Sequence, residues 1–190
     1  MSTNSAQLVL MYFLVPIWIA AGFIDWIFHK KSDIEHTAGT KETAIHFLMF
    51  AEIGVPLFAA LFLNINALVI GLMIAAFFVH EATALWDVRY AVSKRWVSPG
   101  EQHVHSFMEM LPLLAIVIVA LVHESQFLAL IGLGSEAPRF DITFKSEPLP
   151  RSYLLGLLMG STAFTVAPYL DELWRCHRAS RLAHGSEFEV

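Results

Sequence analysis

The run from Leu8 to Phe28 is apolar throughout except for Asp25 near its end. About 20 such residues are what a helix needs to cross the hydrocarbon core of a bilayer, and only helices or closed barrels satisfy their backbone there. Comparable runs follow from Thr43 to Leu63, from Ala67 to about Trp86, from Ser98 to about His123 and from Ser152 to about Leu173. The expectation is an all-α integral membrane protein, a bundle of about five transmembrane helices. The 56% hydrophobic content, 15% charged content and mean hydropathy of +0.59 fit a chain whose solvent is lipid. Five spans in 190 residues leave no length for an ordinary soluble domain. One membrane-embedded domain is therefore expected over residues 1–184, with no nucleic-acid partner. The closing GSEFEV, Gly185 to Val190, resembles the scar of a cleaved tag and is set apart. Residues 1–7 carry no Lys or Arg, so the first run reads as a retained helix rather than a secretory signal. A single cysteine, Cys176, excludes an intramolecular disulfide and a cysteine-based metal site.

Polar residues are concentrated where the first apolar run gives way to the second. Lys30, Lys31, Asp33 and Glu35 continue a helical pattern, which predicts that the first helix leaves the bilayer and runs to about Ala38, with Gly39 as its stop. Asp25, His29, Asp33 and His36 then share one face, and Glu42 and His46 repeat the four-residue step beyond Thr40, the expected N-cap. Glu52 lies deeper in the second span, rotated away from His46, and Pro56 is a site for a kink. Asn64-Ile-Asn66 reads as a tight turn. The third span ends in HEATALWD, with His80 and Asp87 on one face and Glu81 beside His80. WDVRYAVSKRWV reads as an interfacial connector whose Arg89, Lys94 and Arg95 meet lipid headgroups. Ser98-Pro99-Gly100-Glu101 is a capping box opening the fourth helix, along which Glu101, His105 and Glu109 share a face while His103 points away. The 124–151 connection holds Arg139 to Lys145, alternating like a short strand or an interfacial loop. In the fifth span Gly156, Gly160, Ser161, Thr162 and Ala163 form a small-residue face suited to close helix packing.

The placement of Lys and Arg orients the bundle with its N-terminus outside and its C-terminus in the cytoplasm, as expected for a cell inner membrane protein. That topology brings Asp25, His29, His46, His80, Glu81, His105 and Glu109 to within roughly 10 Å of one bilayer depth on the cytoplasmic side. Of the nine histidines only His123 falls at the other side. Intramembrane ionisable groups are costly unless they pair or bind, and imidazoles mixed with carboxylates are the donors of a metal ion. The expected ligands are Asp25, His29, His36, His46, His80, Asp87, His105 and Glu109, with Glu52 and Glu81 as acid–base or proton-relay groups. Asp33 and His36 reach the site only if the first helix is unbroken. Glu42 reads equally as a first-turn acid, Glu101 as a capping glutamate and Asp87 as a partner for Arg89.

Four histidines with three or more carboxylates exceed the needs of one zinc ion and suit a pair of metals. Two iron ions are the first choice, with zinc or manganese as alternatives. In ligand type and placement the chain resembles the membrane di-iron oxygenases, the fatty-acid hydroxylase and desaturase group, and more loosely the alternative oxidases. It lacks the HxxHH and paired ExxH boxes of those proteins, with Asp33-Ile-Glu-His36 as a near form. The resemblance implies an O2-dependent hydroxylase or desaturase with O2 as co-substrate, a lipid or other apolar substrate and an electron donor the sequence does not name. A membrane zinc hydrolase of a lipid amide or ester, a b-type haem protein and a metal or proton transporter are the competing expectations.

Overall fold

A computed structural model describes residues 3–186; Gly185 and Ser186 end its last helix, and the remainder of GSEFEV lies outside the described residues. The chain is all-α. Five helices are long and apolar enough to cross a membrane: α1 (Ser5–Lys31), α2 (Thr40–Phe62), α3 (Ala67–Lys94), α4 (Pro99–Val122) and α6 (Arg151–Ala183), with a short α5 (Glu124–Leu130) between the last two. In the most apolar stretch of each, only 11% to 28% of residues are buried inside the protein, so most of the hydrophobic surface faces outward. An aqueous fold would not leave that area exposed; a lipid-facing bundle requires it. α2 packs along α3, α1 along α4, and α6 lies against α1, α2 and the α1–α2 connection.

The first helix is shorter than its polar pattern predicts. It ends at Lys31, Asp33 turns left-handed at φ 55°, a single 3-10 turn covers Ile34–His36, and Gly39 reverses the chain at φ 68°. Ser32 and Asp33 cause the break. The Ser32 hydroxyl donates to the His29 carbonyl, and an aspartate tolerates the left-handed conformation better than most side chains. The connection is nonetheless anchored: Ile34 and Ala38 pack on Cys176 of α6, the Tyr90 hydroxyl donates to the Ala38 carbonyl at 2.9 Å, and Arg175 pairs with Glu35.

The third helix is longer than expected. No Gly or Pro interrupts the chain between Trp86 and Lys94, and Ala84, Asp87 and Ala91 bury one stripe at helical spacing, so the supposed connector is the last turns of α3. Ser98 caps α4, accepting from the Glu101 amide at 3.1 Å. The glycines of the small-residue face of α6 make no close helix contact: a Cβ added at Gly156 or Gly160 meets no atom within 4 Å. Arg139 to Lys145 forms no strand. It makes an isolated bridge, Leu63 to Phe144, and the Lys145 ammonium caps the Ala60 and Leu61 carbonyls at the end of α2.

Buried Gln126 holds that long connection. Its Oε1 accepts from the Arg139 amide at 2.9 Å and the Ala67 amide at 3.3 Å, while its Nε2 donates to Glu136 at 3.1 Å. Gln126→Leu leaves both amides without an acceptor, a cost of about 1–3 kcal/mol. Trypsin is expected to cut at Arg139 several-fold faster in this variant than in the wild type. An unchanged rate would show that other contacts order the loop.

Candidate functional site

At the end of the bundle that carries the 32–39 and 95–98 connections, all five long helices contribute to a buried polar cluster. Asp25 and His29 come from α1, Glu42, Thr43 and His46 from α2, Asp87 from α3, Glu101 and His105 from α4, and Tyr169 and Glu172 from α6; all are buried. Arg95, in the turn after α3, is buried with them. Each helix offers a residue here because the four-residue steps that align its polar groups also turn them inward, away from lipid.

Two histidines are held in the same way. His29 Nδ1 lies 3.0 Å from Glu172 Oε2, whose partner oxygen accepts from the Thr43 hydroxyl at 3.0 Å. A carboxylate accepts, so the His29 proton belongs on Nδ1 and the lone pair on Nε2. That Nε2 makes no hydrogen bond, yet it faces Asp25 at 3.4 Å, Glu101 at 3.7 Å and Glu42 at 3.9 Å. His46 repeats the pattern: Nε2 donates to Asp87 at 3.2 Å, and Nδ1 makes no hydrogen bond, with Glu172 Oε1 at 3.9 Å. The two rings stack at 4.7 Å with 20° between their planes, and the Tyr169 ring meets both edge-on.

Asp25 is divided between two roles. Its Oδ2 accepts from the Tyr169 hydroxyl at 2.9 Å, while Oδ1 lies 2.7 Å from His105 Nε2 without the alignment of a hydrogen bond. One donor atom each from Asp25, His29, Glu101 and His105 lies within 4.8 Å of the others, and the same holds for His29, Glu42 and His46. That limit is a little wider than the roughly 4 Å that separates opposite ligand atoms about 2 Å from a common ion.

Arg95 stands beside this group. Its Nη2 reaches Glu42 Oε1 at 2.6 Å and Glu101 Oε1 at 2.5 Å, and its Nε and Nη1 take the second oxygens at 3.3 Å and 3.0 Å. Burial disfavours the guanidinium charge, but the two carboxylates outweigh it and raise its pKa further, so the charge persists. The cluster buries five carboxylates, Asp25, Glu42, Asp87, Glu101 and Glu172, and one guanidinium. With all five ionised, four negative charges remain to be balanced by protonated imidazoles or by bound cations.

The sequence-based ligands divide accordingly. Asp25, His29, His46, Asp87 and His105 come together. His80 joins neither of the buried close-set groups, nor a third on the surface formed by Asp33, Glu35 and His36. It pairs instead with Glu52 at 3.6 Å, whose other oxygen accepts from Thr83 at 2.7 Å. His80 is two turns, about 10 Å, deeper than Asp87 on the same helix. Glu81 and Glu109 are half-buried and within electrostatic range of each other, also outside the close-set groups. His36 is exposed and bonds Asp33 at 3.0 Å, a pairing that raises its pKa, because the break at Ser32 and Asp33 carries both residues off the α1 face. His103 is exposed, as its position predicts.

One assignment is corrected: Arg95 is a buried counter-charge instead of a lipid-headgroup contact. Of the alternatives open for the acids, Glu42 and Glu101 do stand in first turns but spend their carboxylates on Arg95, and Asp87 pairs with His46, not with Arg89. Glu172 and Tyr169 fall outside the sequence-based ligand set, because the fifth span reads as a packing helix. Their signal was present: both are polar groups at the end of an apolar run, three residues apart on one helical face.

The fold and the cluster together define an all-α, membrane-spanning bundle with a buried histidine–carboxylate centre. No family model, curated protein or solved structure was found to match this chain.

Proposed function

We propose that the protein is a membrane metalloenzyme whose buried cluster holds a pair of metal ions, iron first, and that it uses O2 to oxidise a lipid or other apolar molecule. The observation that carries the metal reading is His29 Nε2, a buried lone pair set among three carboxylates with no hydrogen-bond donor in reach. Such an arrangement is repulsive until a proton or a metal cation stands between the lone pair and the carboxylates. Glu172 on His29 and Asp87 on His46 are what a metal-binding imidazole needs from its surroundings, a carboxylate that fixes the tautomer and raises basicity. Three histidines and five carboxylates buried in one cluster exceed what a single ion needs and favour a dinuclear centre, and the absence of thiolate in either buried group favours iron, zinc or manganese.

Iron at this site supplies O2 activation when bound. The reaction replaces a C–H hydrogen by hydroxyl with one oxygen atom of O2; the other leaves as water. An external one-electron carrier supplies the electron pair, and solvent supplies the accompanying protons. The chain's own residues do the rest. Asp25, His29, His46, His105 and Glu101 would hold the ions, the surrounding helices exclude water, and the Tyr169 hydroxyl donates to Asp25 Oδ2 and fixes that carboxylate in place. Glu52 and His80, one to two turns deeper, are placed to pass a proton between the cluster and the apolar interior. The arrangement of basic residues orients this end toward the cytoplasm of a cell inner membrane.

The test is elemental analysis and an absorption spectrum on protein purified without chelators. A pair of irons per chain and no Soret band supports the oxygenase. One zinc per chain moves the reading to hydrolysis of a lipid amide or ester, and a Soret band to haem. Absence of any metal after reconstitution with iron, zinc and manganese sinks the metal centre itself.

A further inference from the structure

A cavity of about 410 Å³ lies in the half of the bundle away from the cluster, open on one side and bounded by α1, α2, α3, α4, α6 and the long connection. Its deep end is lined by Trp18, Ile53, Phe77 and Leu111. Trp18 precedes Asp25, and Ile53 follows His46, by seven residues each, so that end stops about 10 Å from the polar cluster. Ile53 is also the residue after Glu52, and Phe77 lies one turn before His80, which places the Glu52–His80 pair at the step between cavity and cluster.

The other end is different in chemistry. There the walls include Lys145, Tyr153 and His123, with the exposed Glu147 also in the lining. Lys145 is half-buried, and its ammonium has two backbone carbonyls and no carboxylate within salt-bridge distance among the described residues. The Tyr153 hydroxyl is buried without a hydrogen-bond partner. A cation and an unmatched hydroxyl at one end, with an apolar shaft of about 18 Å from His123 down to Leu111, are complementary to a single-chain amphiphile with an anionic head.

We infer that this cavity binds a long-chain carboxylate with its head at Lys145 and Tyr153 and its methyl end directed at the histidine–carboxylate cluster. The binding stands on the cavity alone. Its consequence, oxidation near the chain end remote from the carboxylate, rests on the oxygenase reading.

Nitroxide-labelled stearic acids added to the full chain in nanodiscs test the inference, with quenching isolated to Trp18 by subtracting a Trp18→Phe variant. A nitroxide near the methyl end is expected to quench Trp18 saturably, and one near the carboxylate several-fold less. Ala115→Phe, which fills the shaft, is expected to abolish the saturable component, and Lys145→Gln to weaken it about tenfold. Stronger quenching by the label near the carboxylate would overturn the orientation. Quenching that does not saturate, or that survives Ala115→Phe, would mean ordinary bilayer lipid and overturn the site. Metal content measured on the wild-type chain separates the two readings: metal present with no saturable quenching refutes the cavity alone, and saturable quenching with no metal refutes the metal centre alone.

Discussion

Arg95→Ala is expected to destabilise the protein by about 3–5 kcal/mol, the effect of removing one partner from a buried ionic network. The substitution leaves Glu42 and Glu101, both almost fully enclosed, without the guanidinium that bonds each of them twice. It also loosens three places at once, since these bonds join the turn after α3 to the start of α2 and the start of α4. Thermal unfolding in detergent, followed by circular dichroism, measures the loss. Adding Glu42→Gln and Glu101→Gln to the Arg95→Ala chain removes the uncompensated charge and is expected to recover a substantial part of it. Arg95→Lys is expected to fall between wild type and alanine, because an ammonium cannot bridge two carboxylates through paired donors. An Arg95→Ala protein that melts with the wild type would show that the two glutamates are neutral or hydrated, and the charge count used for the metal reading would fail with it.

The second large effect concerns metal occupancy. Asp25→Ala and His105→Ala each remove a donor from the 2.7 Å Asp25–His105 contact and are expected to leave little metal on the folded chain after gel filtration. Glu172→Gln keeps the shape but offers His29 a weaker acceptor, and is expected to lower metal affinity about 10–100-fold without abolishing it. His123→Ala, at the far end of the bundle, and His36→Ala, on the surface, are expected to change nothing. The comparison is read by mass spectrometry of metals against protein concentration, with circular dichroism confirming that each variant is folded. Equal losses from all five variants, or loss from the two surface and far-end controls alone, would refute the assignment of the cluster as the binding site.

Helix periodicity identified Asp25, His29, His46, Asp87 and His105 before any coordinates, because the spacing that places two side chains on one face is intrinsic to a helix. It failed at His36 for a local reason. Whether a helix continues past Lys31 depends on the competition of Ser32 and Asp33 side chains with the backbone, which a pattern of charges does not register. It failed at His80 for a geometric one. Sharing a face with Asp87 says nothing of depth, and two turns of helix separate the two groups.

What the sequence determined by itself was the class: apolar runs of bilayer length force five helices, and ionisable residues inside them must turn away from lipid toward one another. Which groups then meet was decided by the tertiary structure. Arg95, Glu42, Glu101 and Glu172 look like surface or terminal-turn charges along the chain, and they are buried only because residues from other helices supply their countercharge. The burial of a charge is a property of its partners across space, and one-dimensional spacing carries no record of them.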